Sequence, residues 1–134
     1  MKLVQRNSED TLSIRHQVLW PNELPEYCRV VGDNNALHFG VTINDELISV
    51  ASIYINDSTA RLRKFATLKK FQEKGAGSFL LNHIIKTLKR IKISYFWFDA
   101  RESAVGFYNR LGFISTGELF YKNKVAFCKM YTTL

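Results

Sequence analysis

The segment FATLKKFQEKGAGS, residues 65–78, joins two stretches of different periodicity. Before it, residues 60–66 alternate apolar and charged side chains, as a half-buried β-strand does. After it, apolar residues recur at helical spacing, namely Leu80, Leu81, Ile84, Ile85 and Leu88. Glycines at such a junction let a ligand approach the backbone closely, and the free amides of the first helical turn attract an anion. The junction is therefore a candidate phosphate site, and the two glycines alone are equally typical of a turn without a ligand.

Two well-known phosphate-binding loops are excluded by the order of residues in this junction. A P-loop has Gly-Lys-Ser or Gly-Lys-Thr after its glycines, whereas here Lys74 precedes Gly75. The dinucleotide-binding fingerprint needs a third glycine where Leu80 stands. A nucleotide site of either type is therefore not expected.

The rest of the chain predicts a mixed α/β fold, with helices on the faces of one sheet. A helix is expected over Ser8–Leu19, capped by Ser8, and another over Ser103–Leu111, capped by Ser103. Asn44 and Asp45 predict a hairpin turn. Pro21–Asn35 is expected to be a loop or a short helix. Strands are expected over Lys2–Gln5, Leu37–Ile43, Leu47–Ile55, Ala60–Ala66, Tyr95–Phe98, Leu119–Tyr121 and Val125–Tyr131.

Composition narrows the class of protein. The chain has 134 residues, 46% of them hydrophobic and 23% charged, which fits one globular domain over residues 1–134 and excludes a disordered tail or a coiled coil. Two cysteines, Cys28 and Cys128, are too few for a disulfide scaffold. The sequence has no apolar run of membrane-spanning length. We expect a cytoplasmic protein without a membrane partner.

The charges are divided unevenly along the chain. Residues 1–57 carry 4 Lys/Arg and 8 Asp/Glu, whereas residues 58–134 carry 15 Lys/Arg and 4 Asp/Glu. A strongly positive second half favours an anionic partner, such as a phosphorylated small molecule or nucleic acid, over a neutral one. A solvated lysine-rich surface is the alternative. Nucleic acid is the least favoured partner, because about half of the contiguous aromatic residues Tyr95–Phe98 must face inward.

Two blocks of this sequence resemble the GNAT N-acetyltransferase family. Residues 72–77, Gln-Glu-Lys-Gly-Ala-Gly, are similar to the family's Gln/Arg-x-x-Gly-x-Gly/Ala signature, and residues 99–113 look like its second block, which ends in Tyr-x-x-x-Gly-Phe. The order of strands and helices also matches over nearly the whole chain. The resemblance implies an acyl-CoA N-acyltransferase fold, with a central, mostly antiparallel sheet flanked by helices.

The resemblance also implies roles for individual residues in binding acetyl-coenzyme A as cosubstrate. The backbone of Ala66, Thr67 and Leu68, on a strand that splays from its neighbour, would bind the pantetheine and the acetyl carbonyl. Backbone amides of the junction would bind the pyrophosphate; these residues are Gln72, Glu73, Lys74, Gly75, Ala76, Gly77 and Ser78. Tyr108 matches the general acid that protonates the departing thiolate. Its alternative role is packing, because it shares a helix face with Phe107 and Leu111.

The sequence departs from the family where a catalytic base is concerned. Many members carry a carboxylate on the strand that matches Ala60–Ala66, and this strand carries none. His38, Glu26 and Asp99 are the candidate bases elsewhere, and bulk water acting on a free amine is the alternative. Asp99 also stands where relatives often have Asn. No cluster of His, Cys, Asp or Glu has metal-ligand spacing, so no metal is expected.

The leading interpretation is an enzyme that transfers acetyl from acetyl-coenzyme A to a primary amine by direct attack. A non-catalytic acyl-coenzyme A-binding module is the alternative, since the strand acid is missing. The acceptor is expected to be a small-molecule or peptide amine, and a homodimer is left open. The candidate acceptor-binding residues are Trp20, Tyr27, His38 and Arg63. Arg63 either binds a carboxylate of the acceptor or faces solvent.

Overall fold

The computed structural model describes all residues, 1–134, and contains seven strands and three helices. The helices are α1 (Ser8–Leu19), α2 (Ala76–Arg90) and α3 (Val105–Arg110). The strands are β1 (Lys2–Arg6), β2 (Leu37–Ile43), β3 (Glu46–Asn56), β4 (Thr59–Thr67), β5 (Tyr95–Arg101), β6 (Ile114–Lys122) and β7 (Val125–Thr133). Short 3₁₀ turns lie at Pro25–Cys28, Asp33–Asn35, Lys69–Phe71 and Glu102–Ala104.

All seven strands form one sheet in the order β1-β2-β3-β4-β5-β7-β6. Every neighbouring pair is antiparallel except β4 and β5, which are parallel and joined through α2. Asn44 and Asp45 both have left-handed φ angles, 51° and 64°, as the tight turn between β2 and β3 requires. The prediction of a mostly antiparallel mixed sheet is therefore confirmed.

Helices cover both faces of this sheet. Val50 and Ala51 are successive strand residues, so their side chains point to opposite faces. Val50 packs with Ile14 of α1 in a small cluster, whereas Ala51 belongs to the main core beneath α2. The apolar face of α2, at Ala76, Leu80, Leu81, Ile84 and Leu88, is buried in agreement with its predicted periodicity. No helix is both long and apolar enough to cross a membrane.

Both predicted helix caps were wrong, although the helices exist. Asn7, not Ser8, caps α1: its side-chain oxygen accepts a hydrogen bond from the Asp10 amide at 3.0 Å. Ser103 caps nothing, because residues 102–104 form a 3₁₀ turn and α3 begins only at Val105. Asn is as good an N-cap as Ser, so two adjacent candidates cannot be ranked by residue type alone.

Candidate active site

β4 and β5 are paired only at their first residues. Thr59–Arg61 lie opposite Tyr95–Trp97, and beyond that point the two strands share no ladder. The edge of β4 that faces β5 therefore lacks a strand partner over residues 62–67. Backbone N–H and C=O groups on such an edge are available to a ligand. The splay that the sequence resemblance predicted is present, and Ala66 and Thr67 lie on its β4 side.

A β-bulge changes the direction of the side chains on β4. Ser52 pairs with Arg63 and Val50 pairs with Ala66, so residues 64 and 65 together oppose a single residue of β3. Lys64 has a left-handed φ of 55° at this bulge. A bulge interrupts the alternation of side chains between the two faces of a strand. Arg63 and Lys64, between which the alternation is interrupted, both line one cavity together with the rest of residues 61–65.

That cavity, of about 620 Å³, occupies the space between the splayed strands and is called here the splay cavity. Residues 61–65 of β4 and 98–101 of β5 form its walls. The end of α1, the 3₁₀ turn containing Tyr27, Tyr108 of α3 and the β6–β7 hairpin complete it. Its volume is in the range of small-molecule sites.

Tyr108 is fixed by aromatic packing at one end of the splay cavity. Its ring centroid is 4.5 Å from that of Phe98 and 5.1 Å from that of Phe107. Burial raises the pKa of Tyr108 to about 12, and no hydrogen bond within the chain contributes to the shift. The phenol is therefore protonated at neutral pH and its hydroxyl is free to donate to a ligand.

The start of α2 has the features of an anion site. Gly75, at the N-cap, has a φ of 87°, and no side chain caps the helix. The Phe79 amide donates to the Gly75 carbonyl at 3.0 Å, so the first intrahelical bond begins there and the amides of residues 76–78 have no backbone acceptor. Uncapped amides together with the positive end of the helix dipole favour a negative ligand.

The two glycines of the junction are required for different reasons. Gly75 needs its left-handed φ, and a Cβ there would meet no atom within 4 Å. A Cβ at Gly77 would lie 3.0 Å from Cζ of Phe65 and 3.5 Å from Cζ of Phe107. Gly77 therefore lets α2 approach the aromatic side chains that border the splay, in addition to any role in ligand binding.

Positive charge dominates the splay cavity. Five cationic side chains line it, and Asp99 is the single acidic one; the cations are Arg61, Arg63, Lys64, Arg101 and Lys122. Oδ2 of Asp99 is 3.2 Å from Nη2 of Arg61 and 3.6 Å from Nζ of Lys122. Burial, followed by the charges of Arg63 and other nearby cations, lowers the pKa of Lys64 to about 8. Its Nζ lies 4.3 Å from the centroid of the Trp20 ring.

Three of the four predicted acceptor residues meet in the splay cavity. Trp20 and Tyr27 pack edge to face at 5.2 Å, and Arg63 lines the same cavity from β4. His38 does not line it. It is 3% exposed and its ring nitrogens contact the Ser52 hydroxyl at 2.7 Å and the Asp33 carbonyl at 2.8 Å. The structure gives His38 a place in a buried polar network and no access to the cavity.

The two acidic candidates for a base occupy different places. Glu26 lies outside the splay cavity and pairs with Arg29 at 2.7 Å on the surface. Asp99 lies inside it and is already shared by two cations. Sequence reasoning did not assign Lys64 or Lys122 to the site. No sequence signal marked the bulge at Lys64, and Lys122 was expected only as a residue between the last two strands.

Comparisons with known proteins agree with this geometry. The family model described as an acetyltransferase (GNAT) domain matches residues 6–134. The chain is 35% identical over 121 residues to YitI of Bacillus subtilis strain 168, which is described as an uncharacterized N-acetyltransferase; the match covers 84% of this chain and 81% of that protein.

Solved structures share the fold at lower sequence identity. The ribosomal-protein-S18-alanine N-acetyltransferase of Escherichia coli superposes with a TM-score of 0.82 at 18% identity, covering 98% of this chain and 92% of that one. A GNAT family acetyltransferase of Elizabethkingia anophelis with acetyl-CoA bound gives a TM-score of 0.73 at 17% identity, covering 99% and 97%. The predicted family, fold and enzyme class are thus confirmed, and this chain belongs to the GNAT family of N-acetyltransferases.

Proposed function

We propose that the protein transfers the acetyl group of acetyl-coenzyme A to the primary amine of a small acceptor bound in the splay cavity. The observation that carries the proposal is the meeting of three features at one place. These are the unpaired edge of β4, the free hydroxyl of Tyr108 and a cavity of small-molecule size. Direct attack needs the amine and the thioester to be aligned, and this positioning supplies much of the rate.

The coenzyme would lie between α2 and the splayed strands. Amides of residues 76–78 are suited to the pyrophosphate, and the loop from Gln72 to Gly75 leads into them. The unpaired edge of β4 at Ala66 and Thr67 would accept the pantetheine through backbone hydrogen bonds. Leu68 is less suited than the sequence resemblance implied, because its amide already donates to the Ile48 carbonyl at 2.9 Å and its carbonyl accepts from the Phe71 amide at 2.8 Å. A structurally similar GNAT acetyltransferase is described with acetyl-CoA bound, which supports this choice of donor.

The reaction would proceed by attack of the amine nitrogen on the thioester carbonyl carbon. Negative charge then develops on the carbonyl oxygen, and a backbone N–H of the unpaired β4 edge can stabilise it. When the C–S bond breaks, the electron pair goes to sulfur, and the Tyr108 hydroxyl donates a proton to the thiolate. The phenol regains a proton from solvent.

The cationic side chains of the splay cavity explain how the acceptor amine could lose its proton without a catalytic base. An ammonium ion placed among Arg61, Arg63, Lys64 and Lys122 is destabilised by like charge, which lowers its pKa. Lys64 illustrates the effect on a resident amine, because burial and neighbouring cations hold its pKa at about 8. We infer that the acceptor reacts as the free amine and that its proton is released to water. Asp99 is less suited to this task, since two cations already contact it.

The state of the two buried cysteines is relevant to the cellular compartment of the protein. Cys28 and Cys128 are free. Free cysteines are usual in reducing compartments, so the cytoplasm is the proposed location.

Turnover tests the proposal directly. Purified protein is incubated with acetyl-coenzyme A and a panel of primary amines, and both the released thiol and the acetylated amine are measured. Stoichiometric formation of both products is expected. Tight binding of acetyl-coenzyme A without any acetylated product would favour the non-catalytic binding module instead.

A further inference from the structure

The splay cavity holds cationic side chains that have no counterion in the chain. Asp99 pairs with Arg61 and Lys122, whereas Arg63, Lys64 and Arg101 have no carboxylate within 4.0 Å. Arg101 is exposed, whereas Arg63 and Lys64 are partly buried, and partial burial of a charged group without a partner is costly.

Arg63 and Lys64 are held in place although no acid binds them. The Lys64 ammonium is 4.3 Å from the Trp20 ring centroid, and the Arg63 guanidinium carbon is 5.9 Å from that of Tyr54. Both side chains line the cavity, and the bulge interrupts the alternation of faces between these two neighbouring residues. Two adjacent cations, positioned by aromatic rings and facing the same cavity, form a site for an anionic group.

The phosphates of the coenzyme are not the natural partner for this pair. Their expected site is the start of α2, and no residue of α2 lines the splay cavity. The pantetheine and acetyl groups that would reach the cavity carry no charge. The unpaired cations therefore remain for the acceptor.

We infer that the acceptor is a small amino compound with a carboxylate or phosphate close to its primary amine, and that Arg63 and Lys64 bind this anionic group. This inference rests on the proposed function and names its substrate class. A polyamine would bring more positive charge into a cavity that already has an excess. An amino acid or an aminoalkyl phosphate would neutralise part of that excess and still present one amine to the thioester. The five cations and single carboxylate of the cavity leave positive charge after this pairing, so the free amine remains favoured.

Matched pairs of acceptors test the inference with the intact protein. β-Alanine is compared with propylamine, and phosphoethanolamine with ethanolamine, so that each pair differs by the anionic group; spermidine represents the polyamines. We expect kcat/KM to be at least about tenfold higher for the anionic member of one pair, the size of effect that a hydrogen bond between charged groups gives. The pair that shows the preference identifies the anion as carboxylate or phosphate.

Variants connect that preference to the two residues. Arg63→Gln and Lys64→Met should each lower the anionic-to-neutral ratio of kcat/KM about tenfold or more. Lys86→Gln removes an exposed lysine of α2 that does not line the splay cavity, and it should leave the ratio unchanged.

Each remaining outcome counts against a specific statement. Preference for spermidine, or less than about a tenfold preference for the anionic member in both pairs, overturns the inference and leaves the transferase function standing. Equal loss on both members of a pair in Lys64→Met assigns Lys64 to the chemistry and overturns its role in recognition. Absence of any acetylated product with wild-type protein contradicts the proposed function itself.

Discussion

Arg15 of α1 and Asp33 form a bidentate ion pair in the interior of the protein. Nη1 of Arg15 donates to Oδ2 of Asp33 at 2.9 Å, and Nη2 donates to Oδ1 at 3.1 Å. The Arg15 side chain is fully buried, and Nη1 also donates to the Cys28 carbonyl at 3.0 Å. Through these bonds a helix residue fixes the irregular segment between α1 and β2, which carries Tyr27 on the wall of the splay cavity.

The same pair anchors this segment to the sheet. Nη2 of Arg15 donates to the Ser52 hydroxyl of β3 at 2.8 Å, and the Tyr54 hydroxyl donates to Asp33 at 2.5 Å. The Asp33 carbonyl can only accept, so Nε2 of His38 donates to it and Nδ1 accepts from Ser52. His38 is therefore a positioning residue for the wall of the cavity.

Asp33→Asn should be strongly destabilising. It leaves the buried Arg15 guanidinium without its counterion, and breaking one partner of a buried pair costs about 3–5 kcal/mol. The free energy of unfolding, measured with urea at pH 7, gives the value. Glu9→Gln is the matched control, since it breaks a surface pair with Arg29 and should change stability little. Equal effects of the two changes would contradict the structural role given to Asp33.

The same carboxylate predicts a loss of stability in acid. Burial opposes the ionisation of Asp33, but hydrogen bonds from Arg15, Tyr54 and the Val30 amide outweigh it and lower the pKa from 3.8 to about 2. The charged form is thus favoured in the folded state, and a contribution of roughly 2 kcal/mol is fully present above pH 4. It should disappear as the pH falls from about 4 towards 2. This step in the unfolding free energy should be absent from Asp33→Asn.

Ser78→Glu tests the anion site at the start of α2. A carboxylate in the first turn interacts favourably with the positive end of the helix dipole, so the melting temperature should not fall. The same charge repels the pyrophosphate, and we expect the Kd for coenzyme A, measured by calorimetry, to rise at least about tenfold. Asn82→Glu places the charge one turn further along α2 and serves as the control. Equal affinities of the two variants for coenzyme A would show that the pyrophosphate does not bind at the start of α2.

Ligand-induced stabilisation distinguishes coenzyme A from other phosphorylated ligands. Acetyl-coenzyme A should raise the melting temperature, and coenzyme A should do so nearly as well, because the expected contacts are to phosphates and pantetheine. ATP and NADH carry phosphates but no pantetheine to occupy the unpaired edge of β4. At equal concentration they should have smaller effects. A larger shift with either nucleotide would contradict the binding mode proposed for the unpaired edge of β4 at Ala66 and Thr67.

Lys64→Met should stabilise the protein at neutral pH. Burial, with like charge from neighbouring cations, lowers the pKa of Lys64 from 10.5 to about 8. Between those pH values the unfolded chain binds a proton that the folded chain does not, so the wild type is penalised fully below pH 8. The melting temperature of the variant should exceed that of the wild type most at pH 7 and approach it near pH 10.5. The lost contact with the Trp20 ring reduces the gain, and a net loss at pH 7 would show that this contact outweighs the charge effect.

The regular elements were predictable from the sequence because they depend on local patterns. The apolar spacing of α2 and the Asn44-Asp45 turn are both set by residues close together in the chain, and both are present as expected. The strands β6 and β7 extend further than predicted, since cross-strand pairing continues through residues whose own patterns are weak.

The geometry of the site was less predictable because it depends on long-range pairing. The bulge at Lys64 arises from the register between β3 and β4, which residue type does not encode. Arg15 is a charged residue in a helix, where exposure is the ordinary expectation. Its partner Asp33 lies in an irregular segment 18 residues away, and no local pattern connects the two.

Tyr108→Phe separates catalysis from packing at the end of the splay cavity. The hydroxyl has no partner in the chain, and the ring contacts of Phe98 and Phe107 survive the change, so the melting temperature should fall only slightly. If the phenol donates to the thiolate, kcat should fall while KM for acetyl-coenzyme A changes little.

The pKa of Tyr108 limits how large this loss of kcat can be. A phenol with a pKa of about 12 is a weaker acid than a thiol with a pKa of about 8.5, so proton transfer to the thiolate is uphill unless the thiolate is itself desolvated. We therefore expect a loss near the lower end of general-acid effects, about 10-fold to 100-fold. Wild-type turnover in the variant would reduce Tyr108 to a packing residue, and kcat and the melting temperature must be measured on one preparation so that partial unfolding is not mistaken for lost chemistry.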